Sequence, residues 1–389
     1  MPVNVLFLHA GGDWIRGSEN ALLTLLRGVD RSRIRPLLFS SNQRLVSAAQ
    51  ADGVETVHHP MPEIMIDGAA VQLGVFQWIK TLWKLIALVR QRNIQIVYCN
   101  GGSTSQVGYY LGKLRGVPVI AHLHSPYNRR YILLYRLHRV RRVIFVSHAI
   151  ARAIRLKQRF AGQCGIVHNG VDLIRFSPPA ERDPKWKEQL ELPADSIVFG
   201  QVSSLITRKG IDILLRAFQL VHQRYPETRL VLVGGGPDRD RFVELATTLG
   251  VAAYTRFVGD QTDPLPYYQH VFDVNVLASR SDAFPLSPLE ASACALPNIG
   301  ANCGGIPEGI SEPGTGYLFE PENHPMLADM MSLLAAAPDL RKSQGQAGRR
   351  LAEGQFSMDK YCSSIERILL DLGAVVGQRA GSLTADVDE

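Results

Sequence analysis

Residues 230–233 read Leu230-Val231-Leu232-Val233 and run directly into Gly234-Gly235-Gly236-Pro237 and then Asp238-Arg239-Asp240. This passage decides the fold. Four apolar residues in succession, with no polar residue alternating between them, suit a strand covered on both faces, and such strands belong to parallel sheets. The glycines and the proline end the strand, and a helical pattern over 238–249 begins at once. Working outward, short β-branched runs alternate with helical patterns in both directions. On the C-terminal side strands are predicted at 197–202, 255–258, 273–277 and 296–300, with a helix over 211–225. On the N-terminal side strands are predicted at 3–9, 36–40, 94–99, 117–122, 142–146 and 165–167, with helices over 18–28 and 77–92. Such alternation implies an α/β protein with doubly wound parallel sheets.

The chain has 389 residues, 46% of them hydrophobic. That is too many for one core, since single cores stop growing at about 250–300 residues. Two Rossmann-like domains are expected, one over 1–185 and one over 186–356. The boundary is drawn in 177–196, where Pro178-Pro179, Pro184 and Pro193 interrupt regular structure. A helix over 357–372 is expected to cross back to the first domain, and the Gly- and Ala-containing stretch 373–389 is expected to be a disordered tail. Doubly wound sheets bind ligands beyond the carboxyl ends of their strands, so the two domains are expected to face each other across a ligand cleft.

No apolar run reaches the roughly 18 residues that a membrane span requires, and the first residues read as a strand instead of a leader. Five scattered cysteines without a C-x-x-C pair argue against a zinc site or a disulfide framework and for a reducing, cytoplasmic setting. Charge is divided unevenly. Residues 1–180 balance to +15 and the remainder to −9, and no carboxylate side chain occurs from 68 to 171. A basic half of this kind attracts phosphate-bearing substrates, anionic lipid or nucleic acid, or is a solvated face with no partner.

The residues that suggest chemistry cluster after strand ends. Asp282 and Glu290 stand eight positions apart, with Ala283-Phe284-Pro285-Leu286 and a helix start between them. Carboxylates there can accept hydroxyls of a ribose or hexose, although an acid in a first helical turn also serves the dipole. Gly304-Gly305-Ile306-Pro307-Glu308 reads as a loop approaching a phosphate or as a tight capped turn. Arg208-Lys209-Gly210 lies between a strand and a helix, where two cations can neutralise a diphosphate leaving group. The triple-glycine turn is not G-x-G-x-x-G, and the acids of Asp238-Arg239-Asp240 read as caps and dipole partners instead of a metal motif. In the basic half, Gly17-Ser18-Glu19 opens a helix and can meet a phosphate. Alternation puts His122 and His124 on one face of a strand end.

Taken together these elements resemble the retaining glycosyltransferases of the GT-B fold, specifically family 4. The resemblance covers residues 3–370. It is carried by Asp282…Glu290 followed by Ala291, by Gly304–Glu308, by Gly316-Tyr317-Leu318, by Asn169-Gly170-Val171-Asp172 with Phe176-Ser177-Pro178, by Lys209-Gly210 and by Gly17-Ser18-Glu19. It implies that Glu290 holds a nucleotide ribose and that Asp282, with the backbone of Phe284 to Leu286, holds the donor sugar. Lys209 would bind the diphosphate, Gly17 would meet the phosphate from the acceptor domain, and His124 would lie beside the sugar. It also implies front-face attack with no metal and no cofactor beyond the donor. In two places the chain departs from the family pattern. The first acid is Asp282 where the family has Glu, and Ser204 stands where the family has an arginine, leaving Arg208 as the second cation.

The expected activity is transfer of a hexose-type sugar from a UDP- or GDP-sugar to a glycan or lipid-linked acceptor. The alternative is a sugar-nucleotide epimerase, for which His124 and Asp282 are the available acid and base groups. A nucleic-acid-binding role leaves the C-terminal motifs unexplained, so no nucleic acid is expected as partner. An anionic membrane surface is a further expected partner, placing the protein peripherally on the inner face of a membrane. Arg129-Arg130, Arg139, Arg141-Arg142, Arg152, Arg155, Lys157 and Arg159 would meet it, interleaved with Tyr131, Tyr135 and Phe160.

Overall fold

The computed structural model describes residues 2–61, 65–67, 70–72, 74–155, 160–311 and 313–385. The chain divides into two compact units, 1–169 with 358–389, and 170–357. The first contains β1 (Val3–His9), β2 (Ile34–Ser40), β3 (Glu55–His58), a short antiparallel hairpin of β4 (Met65–Asp67) and β5 (Ala70–Gln72), then β6 (Ile96–Asn100), β7 (Val119–Leu123), β8 (Arg142–Phe145) and β9 (Gln163–Ile166). Among the described residues its main sheet runs β3-β2-β1-β6-β7-β8-β9, with every neighbouring pair parallel. The second contains β10 (Ile197–Val202), β11 (Thr228–Val233), β12 (Thr255–Gly259), β13 (Val274–Leu277), β14 (Asn298–Ala301) and β15 (Gly316–Phe319), ordered β12-β11-β10-β13-β14-β15 and again parallel throughout.

The apolar run that opened the reading is β11, and Leu230, Val231 and Leu232 are fully buried there, as a strand sandwiched between helices requires. Phe199, Leu214, Phe218, Phe242 and Val276 complete the core of the second unit. Burial of each such side chain contributes about 1.5–3 kcal/mol. In both sheets the order reverses beside the first strand of its unit, at β1/β6 and at β10/β13. Loops leaving the carboxyl ends of those neighbours diverge there and open room for a ligand. That geometry places His9, Gly17 and His124 at one such edge, and Lys209 and Asp282 at the other.

Three expectations are corrected. The division falls at 169/170 and not at 185/186. The reason is local: Val171 N–H bonds the Phe356 carbonyl at 2.8 Å, Phe176 is buried against Tyr268, and Arg349 binds the carbonyls of Leu173 and Phe176 at 3.2 and 2.8 Å. The prolines that follow interrupt regular structure inside the second unit. The last helix is Met358–Ala385, so 373–385 is helical and only 386–389 of the expected tail lies outside the described residues. Tyr361, Ile365, Ile368 and Leu369 anchor that helix in the core of the first unit. Extending an existing helix costs far less than nucleating one. Finally, the aromatic residues expected on a lipid-facing surface do not form one. Tyr135 is buried, and Phe160 stands edge-on to Phe145 at 6.0 Å. Lys157 and Arg159 lie outside the described residues.

Candidate functional site

In the second unit the site starts from backbone geometry. After β10 the chain makes a short turn over Thr207–Lys209 and arrives at Gly210 with φ +65°, where a Cβ would collide with the Ala278 carbonyl oxygen. Only glycine allows that close approach. It brings the Lys209 side chain over the end of β13. Lys209 Nζ sits 2.5 Å from Asp282 Oδ2, and the Ser279 hydroxyl reaches the same oxygen at 3.3 Å. Gln201, on β10, donates to the Lys209 carbonyl at 3.0 Å and accepts from Ala278 N–H at 3.3 Å, tying the two strand ends together.

Arg208 turns the same way. Its Nη1 donates to the Ser281 carbonyl at 2.6 Å and lies 3.9 Å from Asp282 Oδ1. The two cations therefore approach opposite oxygens of one carboxylate, leaving an excess of positive charge at the cluster. Ser204 lies partly exposed in the turn between β10 and Lys209, and its carbonyl accepts the Ile206 N–H at 3.0 Å. A glycine again positions Asp282 itself. Gly304 has φ +56° with its Cα against the Asp282 carbonyl, which also accepts the Gly305 N–H at 3.0 Å. The double-glycine loop thus holds the acid from behind.

Ala283, Pro285 and Leu286 are half-buried, and Phe284 is buried with its ring 5.6 Å from that of Phe356. This segment carries the chain into the helix Ser287–Ala293, whose Glu290 accepts a hydrogen bond from the Tyr268 hydroxyl at 3.0 Å. Burial pushes the Glu290 carboxyl up to about 7, against the Tyr268 hydroxyl and the charge of Arg175, which pull it down. Asp172 accepts the N–H groups of Ile174 and Arg175 at 3.0 Å, so the Asn-Gly-Val-Asp segment shapes the turn that presents Arg175, and Phe176 backs Tyr268.

Several contributors escaped the sequence reading. Arg280 grips Asp212 with two bonds of 2.8 Å and Glu322 at 2.6 Å, and donates to the Thr207 carbonyl at 2.6 Å. These bonds, first the one to Asp212, hold its guanidinium more firmly charged than usual. It locks the Lys209 turn to the Asp282 loop. Asp238, expected as a helix cap, makes no capping bond to its own helix. Its carboxylate accepts from the N–H and hydroxyl of Thr207 at 2.6 and 2.8 Å, adding a second tether on the same turn. Asp240 instead points to Arg239 at 3.3 Å. A backbone tether of this kind leaves no mark on composition. The position of Arg280, two residues before Asp282, was the one available signal.

In the first unit a separate polar chain surrounds His124. Asn100, the last residue of β6, donates from Nδ2 to the Ser18 carbonyl at 3.2 Å. That bond fixes the amide orientation, so Asn100 Oδ1 faces His124 Nε2 at 2.9 Å. His124 therefore carries its hydrogen on Nε2 and keeps Nδ1 as an acceptor. Burial pushes the imidazole down to about 4, so it is neutral at ordinary pH. The same Nδ2 lies 3.1 Å from His9 Nδ1, and His9 Nε2 lies 3.1 Å from Glu19 Oε1. Burial works to raise Glu19, but His9 and the Arg16 N–H outweigh it and hold the carboxyl below its usual range. Gly17, just before Ser18 and Glu19, has open space where a Cβ would stand. The His122 ring is 4.2 Å from that of His124, as strand alternation predicted. It is fully buried, with Nδ1 2.5 Å from the Tyr98 hydroxyl, and burial holds it neutral. His122 supports the core while His124 reaches the edge.

Lys209, Arg208 and Asp282 thus lie together at the carboxyl end of one sheet, the 283–286 segment leads from Asp282 into the helix that carries Glu290, and Gly17 and His124 follow strand ends of the other sheet.

Comparison with known proteins gives a consistent picture. The profile described as glycosyl transferases group 1 matches residues 182–351, and that described as glycosyltransferase family 4 matches residues 15–175. A D-inositol 3-phosphate glycosyltransferase of Salinispora arenicola is 29% identical over 72% of this chain and 69% of its own length. A GDP-mannose-dependent alpha-(1-6)-phosphatidylinositol monomannoside mannosyltransferase of Mycobacterium tuberculosis is 27% identical over 83% of this chain and 85% of its own. Among solved structures, Anabaena HepE in complex with UDP and glucose superposes with a TM-score of 0.82 at 20% identity, covering 94% of this chain and 98% of that one. Sucrose-phosphate synthase from Thermosynechococcus elongatus gives 0.78 at 20% identity, over 96% and 100%.

Proposed function

The chain belongs to the GT-B glycosyltransferases, and from that premise we propose that it transfers a hexose from a UDP- or GDP-sugar to a glycan or lipid-linked acceptor, with retention at the anomeric carbon and without a metal ion. The observation that carries the reading is the cluster in which Lys209 and Arg208 converge on Asp282, one loop away from Glu290. Diphosphate, hexose and ribose each have a chemical counterpart there.

Lys209 and Arg208 take the diphosphate. Their charge stabilises the negative charge that develops as the leaving group departs, a contribution that is usually the largest in such reactions. Two cations in this position supply what a metal would supply elsewhere, which supports the metal-independent reading. Asp282 and the 284–286 backbone hold sugar hydroxyls, and Glu290 accepts the ribose hydroxyls. Gly17, with no side chain, admits phosphate close to the backbone of its own unit. His124, neutral and with a free lone pair on Nδ1, accepts a hydrogen bond from a sugar hydroxyl.

In the transfer, the bond between the anomeric carbon and the phosphate oxygen breaks. The acceptor oxygen bonds to that carbon on the same face, and the acceptor proton passes to the departing phosphate oxygen. Asp282 is already engaged by Lys209 and Ser279, which suits a binding role and supports front-face transfer over a covalent carboxylate intermediate. The donor dependence and lipid acceptor of the mycobacterial relative, and the UDP bound by HepE, support the donor and acceptor classes named here.

A thermal-shift screen of UDP, GDP, ADP and their glucose, galactose and mannose conjugates tests the donor, because a ligand that binds only the folded state raises its stability. Stabilisation by none of them refutes the reading. NMR of the product's anomeric proton tests retention.

A further inference from the structure

Four side chains of the first unit form a continuous polar chain. Its inner end is Glu19, in the first turn of the helix Gly17–Gly28. Its outer end is His124, the residue after β7. His9 and Asn100, the last residues of β1 and β6, stand between them. Glu19, His9 and Asn100 are all buried, and His124 is half-buried. A chain of amides and neutral imidazoles can run in either of two directions, because each member both donates and accepts. A terminal group that only accepts decides between them.

Glu19 is such a group. Its carboxyl lies below its usual range, so at neutral pH it is ionised and donates nothing. Its Oε2 accepts the Arg16 N–H at 3.0 Å, and its Oε1 faces His9 Nε2 at 3.1 Å. Among the described residues no other group reaches that nitrogen. The Gly11 backbone packs over the pair, since a Cβ there would stand 3.1 Å from His9 Nε2 and 3.5 Å from Glu19 Oε1. A lone pair on Nε2 would confront a carboxylate oxygen in low-dielectric surroundings, where the repulsion is strong. The His9 hydrogen therefore sits on Nε2, and Nδ1 accepts. Asn100 Nδ2 supplies that hydrogen at 3.1 Å and gives its second to the Ser18 carbonyl at 3.2 Å. Asn100 Oδ1 is thereby turned to His124 Nε2 at 2.9 Å.

We propose that Glu19 is the positioning residue that sets the direction of this chain and, through His9 and Asn100, the tautomer of His124, leaving the His124 Nδ1 lone pair as an acceptor for a substrate hydroxyl. Only the naming of that hydroxyl rests on the transfer reading; the tautomer belongs to the free protein. Glutamine at position 19 reverses the direction. Its single oxygen keeps the Arg16 N–H, and its amide nitrogen turns to His9 Nε2. The His9 hydrogen then moves to Nδ1, the Asn100 amide turns over, and His124 carries its hydrogen on Nδ1. The Ser18 carbonyl opposes that turn of Asn100, so the two forms coexist.

Long-range proton–nitrogen NMR of the full chain, labelled in its histidine rings, reads the tautomers at neutral pH. The His9 and His124 signals are identified by their loss in His9→Gln and His124→Gln. In the parent both rings carry hydrogen on Nε2. In Glu19→Gln the ratio of the Nδ1–H to the Nε2–H form of His124 rises about tenfold, as expected when a charged acceptor is replaced by a neutral one. Adding Asn100→Asp, which accepts on both oxygens, returns His124 to the Nε2–H form. A parent with the His9 hydrogen on Nδ1 overturns the proposal, and that result needs no variant to fold. An unchanged His124 tautomer in Glu19→Gln overturns it as well, since a purely structural role would lower the melting temperature and leave those nitrogens as they are. Failure of Asn100→Asp to restore the tautomer overturns the route through Asn100. Thermal stabilisation of the parent by UDP or GDP reports on the transfer reading separately, because it is measured without reference to either ring.

Discussion

Replacing Tyr268 with Phe removes one hydroxyl and leaves the ring in its buried place. The hydroxyl donates to Glu290 Oε2 at 3.0 Å, and the carboxyl it serves is pushed up by burial to about 7. A hydrogen bond to a charged group contributes about 1.5–3 kcal/mol, and a tenfold change in ionisation corresponds to about 1.4 kcal/mol. Loss of the hydroxyl should therefore carry Glu290 from about 7 to about 8–9. At pH 7 the ionised fraction falls from about half to roughly a tenth or a hundredth. Ribose hydroxyls donate hydrogen bonds and need the carboxylate as acceptor, so nucleotide affinity at pH 7 should fall by about 5–50-fold. It should recover as the pH approaches 9. Isothermal titration of UDP and GDP between pH 6 and pH 9.5 measures this directly. The parent should bind more tightly as pH rises through 7, Glu290→Gln should show no such dependence, and Tyr268→Phe should reproduce the parent curve displaced to higher pH. Superimposable profiles for the parent and Tyr268→Phe would refute the role of the Tyr268 hydroxyl, and a pH dependence that survives in Glu290→Gln would refute the assignment of Glu290 to the ribose.

Lys209→Met should lower kcat by about 10²–10³-fold, the usual loss when a group stabilising transition-state charge is removed, and weaken diphosphates more than monophosphates in steady-state and competition assays. Gly210→Ala should cost about 1–2 kcal/mol or more, because the left-handed backbone disfavours a Cβ and the Ala278 carbonyl occupies its space; denaturant melts and activity together check it. His122 and His124 are both held neutral by burial. Their folded pKa values lie below the unfolded value of about 6.5, so the stability they contribute is full above 6.5 and is lost as pH falls below it, for His124 toward about 4. Thermal melts of the parent at pH 7, 5.5 and 4.5 should show this loss, and melts of His122→Gln should show less of it. Glu290, raised above its unfolded value, acts in the opposite sense: its contribution is full below about 4.3 and is lost as pH rises through 7, so Glu290→Gln should flatten the melting profile between pH 5 and pH 8.

Local sequence determined much of this molecule. Continuous apolar runs such as Leu230–Val233 identify strands buried on two sides wherever they occur, because a parallel sheet leaves no face to water. The shorter or more polar strands were not legible. Glu55–His58 sits at a sheet edge, and the residues Gly316–Phe319 were read as a motif instead of a strand. The pairing of glycines and charges at strand ends also marked out the segment 282–290 and the Lys209-Gly210 turn, and the structure brings Lys209 onto Asp282 there.

Tertiary structure decided the rest, since those facts depend on which strand lies beside which. Adjacency of β10 and β13 brings Lys209 onto Asp282, and no spacing in the sequence announces that pair. Asp238 looked like a helix cap and instead tethers Thr207, because a carboxylate at that position can turn toward whatever N–H packing presents. His124 owes its tautomer to Asn100, and Glu290 its hydrogen-bond partner to Tyr268; in each case the partner arrives from another element across the core. Residue type fixes which chemistry a side chain can do. The low-dielectric, hydrogen-bonded surroundings that set its proton and orientation exist only once the chain has packed.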